Sequence, residues 1–381
     1  MRRLILLVVL AGIASRAGAA RRVTVAQLEQ ALAAAHKPDA ETARLIAGLD
    51  LTERLTESTQ ERLAAHLEAD SKAALALQAD RSALLDPPSS ELPATPAPDE
   101  VAQQRMLESA RQYGSETLPR LPNFLATRTI NEYDDSPQEV TKGAWPVRAG
   151  LHLVRTSSRE TSVRDERENQ SPEKDSGAWK EQSGLVSGGE FGGALGMLLA
   201  DTTQGTVRWS HWEQDSAGLV AVFGYAVPKS ASHFEIMGTV RGEAALEGHA
   251  ASMGGRRGIQ GIGVSPSGAG PAKNAMVHSR PGYHGSIWVD PATGAILRIT
   301  MEADAKDSAP FRQAAILVQY GAVKIGGNSF ICPVRSLALS MAEVQTLSSD
   351  APAQWLNETL FTGYRRFAST TRILTDATPP Q

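Results

Sequence analysis

The chain has one cysteine, Cys332, among 381 residues, so an internal disulfide is excluded and packing alone must hold the fold. Aromatic residues make up only 5% of the chain, so a cluster of rings marks a place where much apolar area leaves water. Long apolar runs are missing as well. The longest, from Leu4 to Ala14, breaks at Ser15-Arg16, well short of the ~20 residues a spanning helix needs. No excess of positive charge exists either: 38 Lys and Arg face 42 Asp and Glu, for a net charge of −4. A nucleic-acid binder, which needs a concentrated positive face, is therefore not expected. The local arginines between Arg155 and Arg167 alternate with Glu160, Asp165 and Glu166 and are followed by Glu168, the pattern of a solvated strand or loop.

Standard catalytic signatures are also lacking. There is no G-x-S-x-G elbow and no Walker lysine-serine pair, and Gly261-Ile262-Gly263 runs into Pro266 where a dinucleotide fingerprint needs its third glycine. None of the eight histidines forms H-x-x-x-H or H-E-x-x-H. His211 and Glu213, two apart on an expected strand, share a face; with His233 or His284 they define the one geometric option for a metal, against the simpler reading of surface or core hydrogen bonding. Glu190, in Gly188-Gly189-Glu190-Phe191-Gly192, is a lone carboxylate that could act as a general acid, but no second carboxylate is placed near it by sequence, and a turn with a helix start explains it better. Cys332 lies in Phe330-Ile331-Cys332-Pro333-Val334, where a thiol acts as a small buried hydrophobe. No catalytic residue, metal or cofactor is expected.

Residues 1–19 have the three parts of a secretory signal: Arg2 and Arg3, the apolar run, and the small-residue site Ala17-Gly18-Ala19. The expectation is an exported, periplasmic or secreted protein whose mature chain carries no transmembrane span. Residues 20–85 show helical spacing broken by cap signals: Thr24 with Gln27, Asp39 with Gly48 as the stop, and Ser58 with Glu61. Five prolines in 86–99 predict an extended linker with few contacts, followed by a helix and connection over 100–122. From 123 to 381 the period changes to two. The clearest hairpin turns at Asp290-Pro291-Ala292-Thr293-Gly294, a meander is expected in 206–240, a short helix in 191–200, and a mobile loop in 254–270. The fold class is therefore α+β, an N-terminal helical segment followed by a mainly antiparallel, curved, half-barrel-like sheet.

Trp209, Phe223, Tyr225, Phe234 and Trp288 all fall in that sheet. They fill a core, or else line an apolar groove under the 191–200 helix. The blocks Leu121-Pro122-Asn123-Phe124, Trp209-Ser210-His211-Trp212-Glu213, Asp290-Pro291-Ala292-Thr293-Gly294 and Ile331-Cys332-Pro333-Val334-Arg335-Ser336 resemble those of an uncharacterised family of exported bacterial proteins. Thr52-Glu53-Arg54-Leu55 and Asp86-Pro87-Pro88 are similar to that family's N-terminal part; the resemblance implies no activity. The hairpin Ile287-Trp288-Val289-Asp290-Pro291-Ala292-Thr293-Gly294 is similar to one in periplasmic lipoprotein carriers, which implies an open half-barrel that holds acyl chains. Three functions follow as expectations: a non-enzymatic envelope protein binding a lipid-like ligand or an envelope partner, a scaffold docking partners through its helices, or a hydrolase with a non-standard site. A filled sheet interior favours the scaffold and an open apolar concavity the carrier.

Overall fold

A computed structural model describes residues 21–35, 37–117, 120–136, 150–164, 167–170, 183–215, 218–241, 274–342 and 352–367. The expected signal (1–19) and the expected loop (254–270) lie outside the described residues.

The first part is a small helical unit. Helices α1 (Val25–Ala34), α2 (Asp39–Ala47), α3 (Glu57–Ala64) and α4 (Ala69–Arg81) pack with two short parallel strands, β1 (Arg21–Val23) and β2 (Leu49–Leu51). Thr24 and Gln27 form the expected capping box on α1. Two caps differ from expectation. Thr56, not Ser58, caps α3, and Asp39 caps α4 from a distance, accepting from the Asp70 and Ser71 amides at 2.8 and 2.9 Å. Narrow apolar stripes explain the assembly: Leu28, Ile46, Leu55 and Leu75 meet in one cluster because no single helix buries its own stripe. Gln78 is buried there and donates to the carbonyls of Ile46 and Leu49, tying α4 to the end of α2.

The proline-rich stretch is irregular apart from one 3-10 turn, η1 (Ser89–Glu91), but it is a strap rather than a free spacer. Pro87 and Pro88 are buried, the Arg54 amide donates to the Asp86 carbonyl at 2.8 Å, Thr59 donates to Glu91 at 2.9 Å, and the Trp212 indole donates to the Pro96 carbonyl at 2.9 Å. Proline lacks a donor but keeps its carbonyl, so an extended proline segment can still be fixed from outside.

Helix α5 (Glu100–Thr117) leads into the sheet. Ten strands form an open antiparallel sheet in the order β5-β4-β3-β15-β14-β13-β12-β11-β8-β7. They are β3 (Phe124–Asp134), β4 (His152–Arg164), β5 (Arg167–Gln170), β7 (Thr206–Asp215), β8 (Gly218–Val227), β11 (Tyr283–Val289), β12 (Ile296–Ala303), β13 (Phe311–Ile325), β14 (Asn328–Ala342) and β15 (Ala353–Arg366). The chain builds one edge with β3 to β5, crosses to the other edge for β7 and β8, and meanders back through β11 to β15 until β15 pairs with β3. That crossing carries β6 (Gly184–Leu185) and α6 (Gly193–Asp201) over one face of the sheet. The strand expected as third in the meander instead becomes β9 (Ile236–Arg241), in a separate small sheet with β6 and β10 (Asn274–Ser279). The place beside β8 goes to β11.

Both faces of the large sheet carry a buried cluster over its middle strands. On one, Phe223, Tyr225, Tyr283, Ile287, Ile299, Met301, Ile316 and Val318 pack against Met106 and Ala110 of α5, Leu195 and Leu198 of α6, and Leu185, Ile236 and Val277 of the small sheet. On the other, Leu317, Leu337, Leu339 and Leu356 meet Ala83 and Leu84 just after α4. Charged side chains complete this second contact: Arg54 pairs with Glu213 at 2.6 Å, Arg335 with Asp80 at 2.6 Å, and Arg298 donates to the Ala83 carbonyl. No described helix is long and apolar enough to cross a membrane.

Cys332 is fully buried beside Phe124, Phe191 and Phe361, and burial pushes its thiol up to about 12. A small thiol reagent at pH 8 should therefore leave the native protein unlabelled over an hour and label it within minutes in denaturant. Rapid labelling of the native state would show that the end of β14 opens.

Candidate functional site

Strand β3 alternates strictly, with Phe124, Ala126, Arg128, Ile130, Glu132 and Asp134 on its buried side. Arg128 is thus carried into the interior by strand periodicity, with only 1% of its surface exposed. A guanidinium there needs acceptors, and the crossing segment supplies them. Arg128 Nη2 donates to the Ser187 carbonyl at 2.7 Å and to Glu190 at 2.9 Å, while Nη1 reaches Glu168 of β5 at 3.2 Å. Two carboxylates therefore share one guanidinium. Burial, with the charge of Glu190 added, raises the Glu168 carboxyl against the pull of Arg128.

The Gly188-Gly189-Glu190-Phe191-Gly192-Gly193 segment is shaped to deliver Glu190 and Phe191 to this place. Gly192 has φ 134°, a backbone only glycine adopts freely, and it starts α6 as N-cap. Phe191 inserts between Phe124, Phe361 and Tyr364, with ring centroids at 5.5, 5.0 and 6.3 Å. Upstream, Asn357 donates to the carbonyls of Ser183 and Leu185, and Ser340 accepts from the Leu185 amide. A chain crossing a buried face must have its polar backbone satisfied by the sheet's side chains, which accounts for Asn357, Ser340 and part of Arg128.

It does not account for the far side of Glu190. Oε1 takes the Arg128 bond and a weak one from Ser336 at 3.4 Å; Oε2 is buried with no partner. The Tyr320 hydroxyl, in a residue only 8% exposed, is buried without a partner too. Both residues line a cleft between α5, α6 and the sheet, walled by Tyr113, Leu121, Phe191, Leu195, Ile296, Ile331 and Pro333. The unfilled space amounts to about 340 Å³ including its open mouth, and its enclosed part has room for about one water. Burial, with the Glu190 charge adding, holds the Tyr320 phenol above its ordinary range.

The five rings expected to line a groove do not form one. Phe223, Tyr225 and Phe234 are buried in the main cluster, and Trp209 packs at its margin, edge-on to Trp212 and Phe223 at 4.9 and 5.5 Å. Tyr225 donates to the Thr300 carbonyl at 2.6 Å. Trp288 lies on the opposite face with Val220 and Val222, under the guanidinium groups of Arg54 and Arg298 at 5.7 and 4.6 Å. Period two explains the split: β11 sends Ile287 and Val289 to one side and Trp288 to the other.

His211 and Glu213 do share a face and bond at 2.8 Å. Their third neighbour is Arg54, a cation, and not another ligand. Burial opposes the Glu213 charge, but the His211 bond and Arg54 outweigh it and hold the carboxyl down at about 2. His233 pairs instead with Asp201 at 2.7 Å, and His284 lies near Asp304 at 3.4 Å and Glu302 at 3.8 Å. Among the described residues no group of three or more His, Cys, Asp or Glu could hold a metal ion. Arg128 was not anticipated as a site residue, and Glu168, expected on a solvated strand or loop, is instead mostly buried against it. The available signal was a charge at the third inward position of a strictly alternating strand, which demands a buried counter-charge.

No family model, no curated protein and no solved structure matches the chain, so any functional reading rests on this geometry.

Proposed function

We propose that the protein is a non-enzymatic, envelope-side binding protein whose ligand site is the Glu190 and Tyr320 cleft. One observation supports it above the rest: two residues that line one apolar-walled cleft, Glu190 and Tyr320, each carry a buried polar atom without a partner. Leaving a buried polar atom unpaired costs about 1–3 kcal/mol, and folds avoid it unless something else supplies the partner. The ring cluster does not support a wide acyl-chain groove, because α5, α6 and the small sheet fill that face. The reading calls for a slender ligand with a polar head, its head at Glu190 and Tyr320 and its body toward the open mouth. Export rests on the character of residues 1–19.

The test is native mass spectrometry of the full chain purified from the envelope fraction of an expressing bacterium. A small amphiphile should co-purify, should be lost in Leu121→Trp, which narrows the cleft beside a half-buried position, and should be retained in Trp288→Ala. A bare protein mass in every case would remove the binding reading. The scaffold reading would then lead, favoured by the buried clusters on both faces of the middle strands.

A further inference from the structure

We infer that the cleft recognises a primary ammonium group on a slender apolar body, with Glu190 as counter-ion and Tyr320 as second hydrogen-bond partner. This rests on the binding reading above and adds the chemistry of the head group. A carboxylate oxygen only accepts hydrogen bonds, so the missing partner of Glu190 Oε2 is a donor. The Tyr320 hydroxyl can accept a second bond from the same group. Glu190 is the one ionisable carboxyl or base among the cleft residues; the other walls are apolar side chains and tyrosines.

The nearest cations are already engaged. Arg128 is shared between Glu190 and Glu168. Arg159, its cross-strand neighbour, favours the charge of Glu168. Burial first, and then the Glu190 charge, raises the phenol of Tyr320 in the cleft wall. Size agrees as well. The enclosed part of the cleft has room for about one water, and an ammonium group has about the same volume. The rings of Tyr113, Phe191 and Tyr320 suit a cation and the first carbons of its chain. An anionic or zwitterionic head would set a negative group against Glu190.

The experiment is calorimetric titration of the purified full chain at neutral pH with n-hexylammonium, 1-hexanol and hexanesulfonate. Hexylammonium should bind saturably, hexanol roughly tenfold more weakly, and hexanesulfonate not measurably. Glu190→Gln, which keeps the shape, should weaken hexylammonium by roughly tenfold and leave hexanol unchanged. Tyr320→Phe removes a hydroxyl that the fold does not use and should weaken hexylammonium about threefold, so it serves as the test if Glu190→Gln fails to fold. Equal binding of hexylammonium and hexanol, insensitive to both substitutions, would overturn the ammonium assignment while the cleft remained a binding site. Binding of no probe would overturn both.

Discussion

Arg128→Met should destabilise the protein by about 3–5 kcal/mol, the cost of breaking a buried ion pair from one side. The substitution leaves Glu190, fully buried, with only the long Ser336 contact, and it releases the Ser187 carbonyl. Glu168 loses its guanidinium at the same time. The damage should concentrate in the crossing segment, because Arg128 is the point where β3 grips it. Urea unfolding of wild type and variant measures the difference. The double variant Arg128→Met with Glu190→Gln should recover about half of the loss, since a neutral amide is cheaper to bury than an unpaired carboxylate. A loss under 1 kcal/mol for the single variant would mean that the segment is held by Phe191 and Asn357 alone.

The second large effect belongs to the junction between the helical unit and the sheet. Glu213 titrates near 2 in the folded protein against an ordinary 4.5, so its contribution is complete above pH 4.5 and is lost as the pH falls toward 2. A shift of this size corresponds to an upper value of about 3–4 kcal/mol, as each unit is worth about 1.4 kcal/mol. Arg54→Met should remove much of that slope and destabilise the junction by about 2–4 kcal/mol at neutral pH, through the uncovered Glu213 and the lost contact with Trp288. Denaturation midpoints measured from pH 2 to 7 decide it. A wild-type profile flat between pH 4.5 and 2.5 would place Glu213 in water and contradict the docked arrangement.

The legible parts of the fold were those written in local pattern. The Thr24 box, the stop at Gly48 and the turn after Asp290 each depend on residues within a few positions of one another, and each stands where the sequence places it. What failed to show was long-range. Thr56 replaced Ser58 as cap because its hydroxyl accepts from Thr59 while Glu91 of the strap meets both Thr56 and Thr59. The strap itself looked free because prolines signal extension but not what lies beside them. The sheet was legible as antiparallel, yet its strand order was not, since the pairing of β3 with β15 joins residues more than 200 positions apart. Trp288 was grouped with rings it does not face because two neighbouring strand positions point to opposite sides. Glu190 was visible in the sequence, but Arg128 and Glu168 lie 62 and 22 positions before it, and only the topology brings them together.

The central claim is that the ligand site lies at Glu190 and Tyr320 and not among the rings of β7, β8 and β11. A crystal structure of the full chain grown with n-hexylammonium tests it most directly. The account predicts the ammonium nitrogen within hydrogen-bonding distance of Glu190 Oε2 and the Tyr320 hydroxyl, the alkyl chain running between Phe191, Leu195 and Ile331, and α6 still held in the main cluster, with Asp201 bonded to Tyr283. Hexylammonium lodged instead beside Trp209 and Phe223 under a displaced α6, with Glu190 Oε2 bonded to protein, would contradict it.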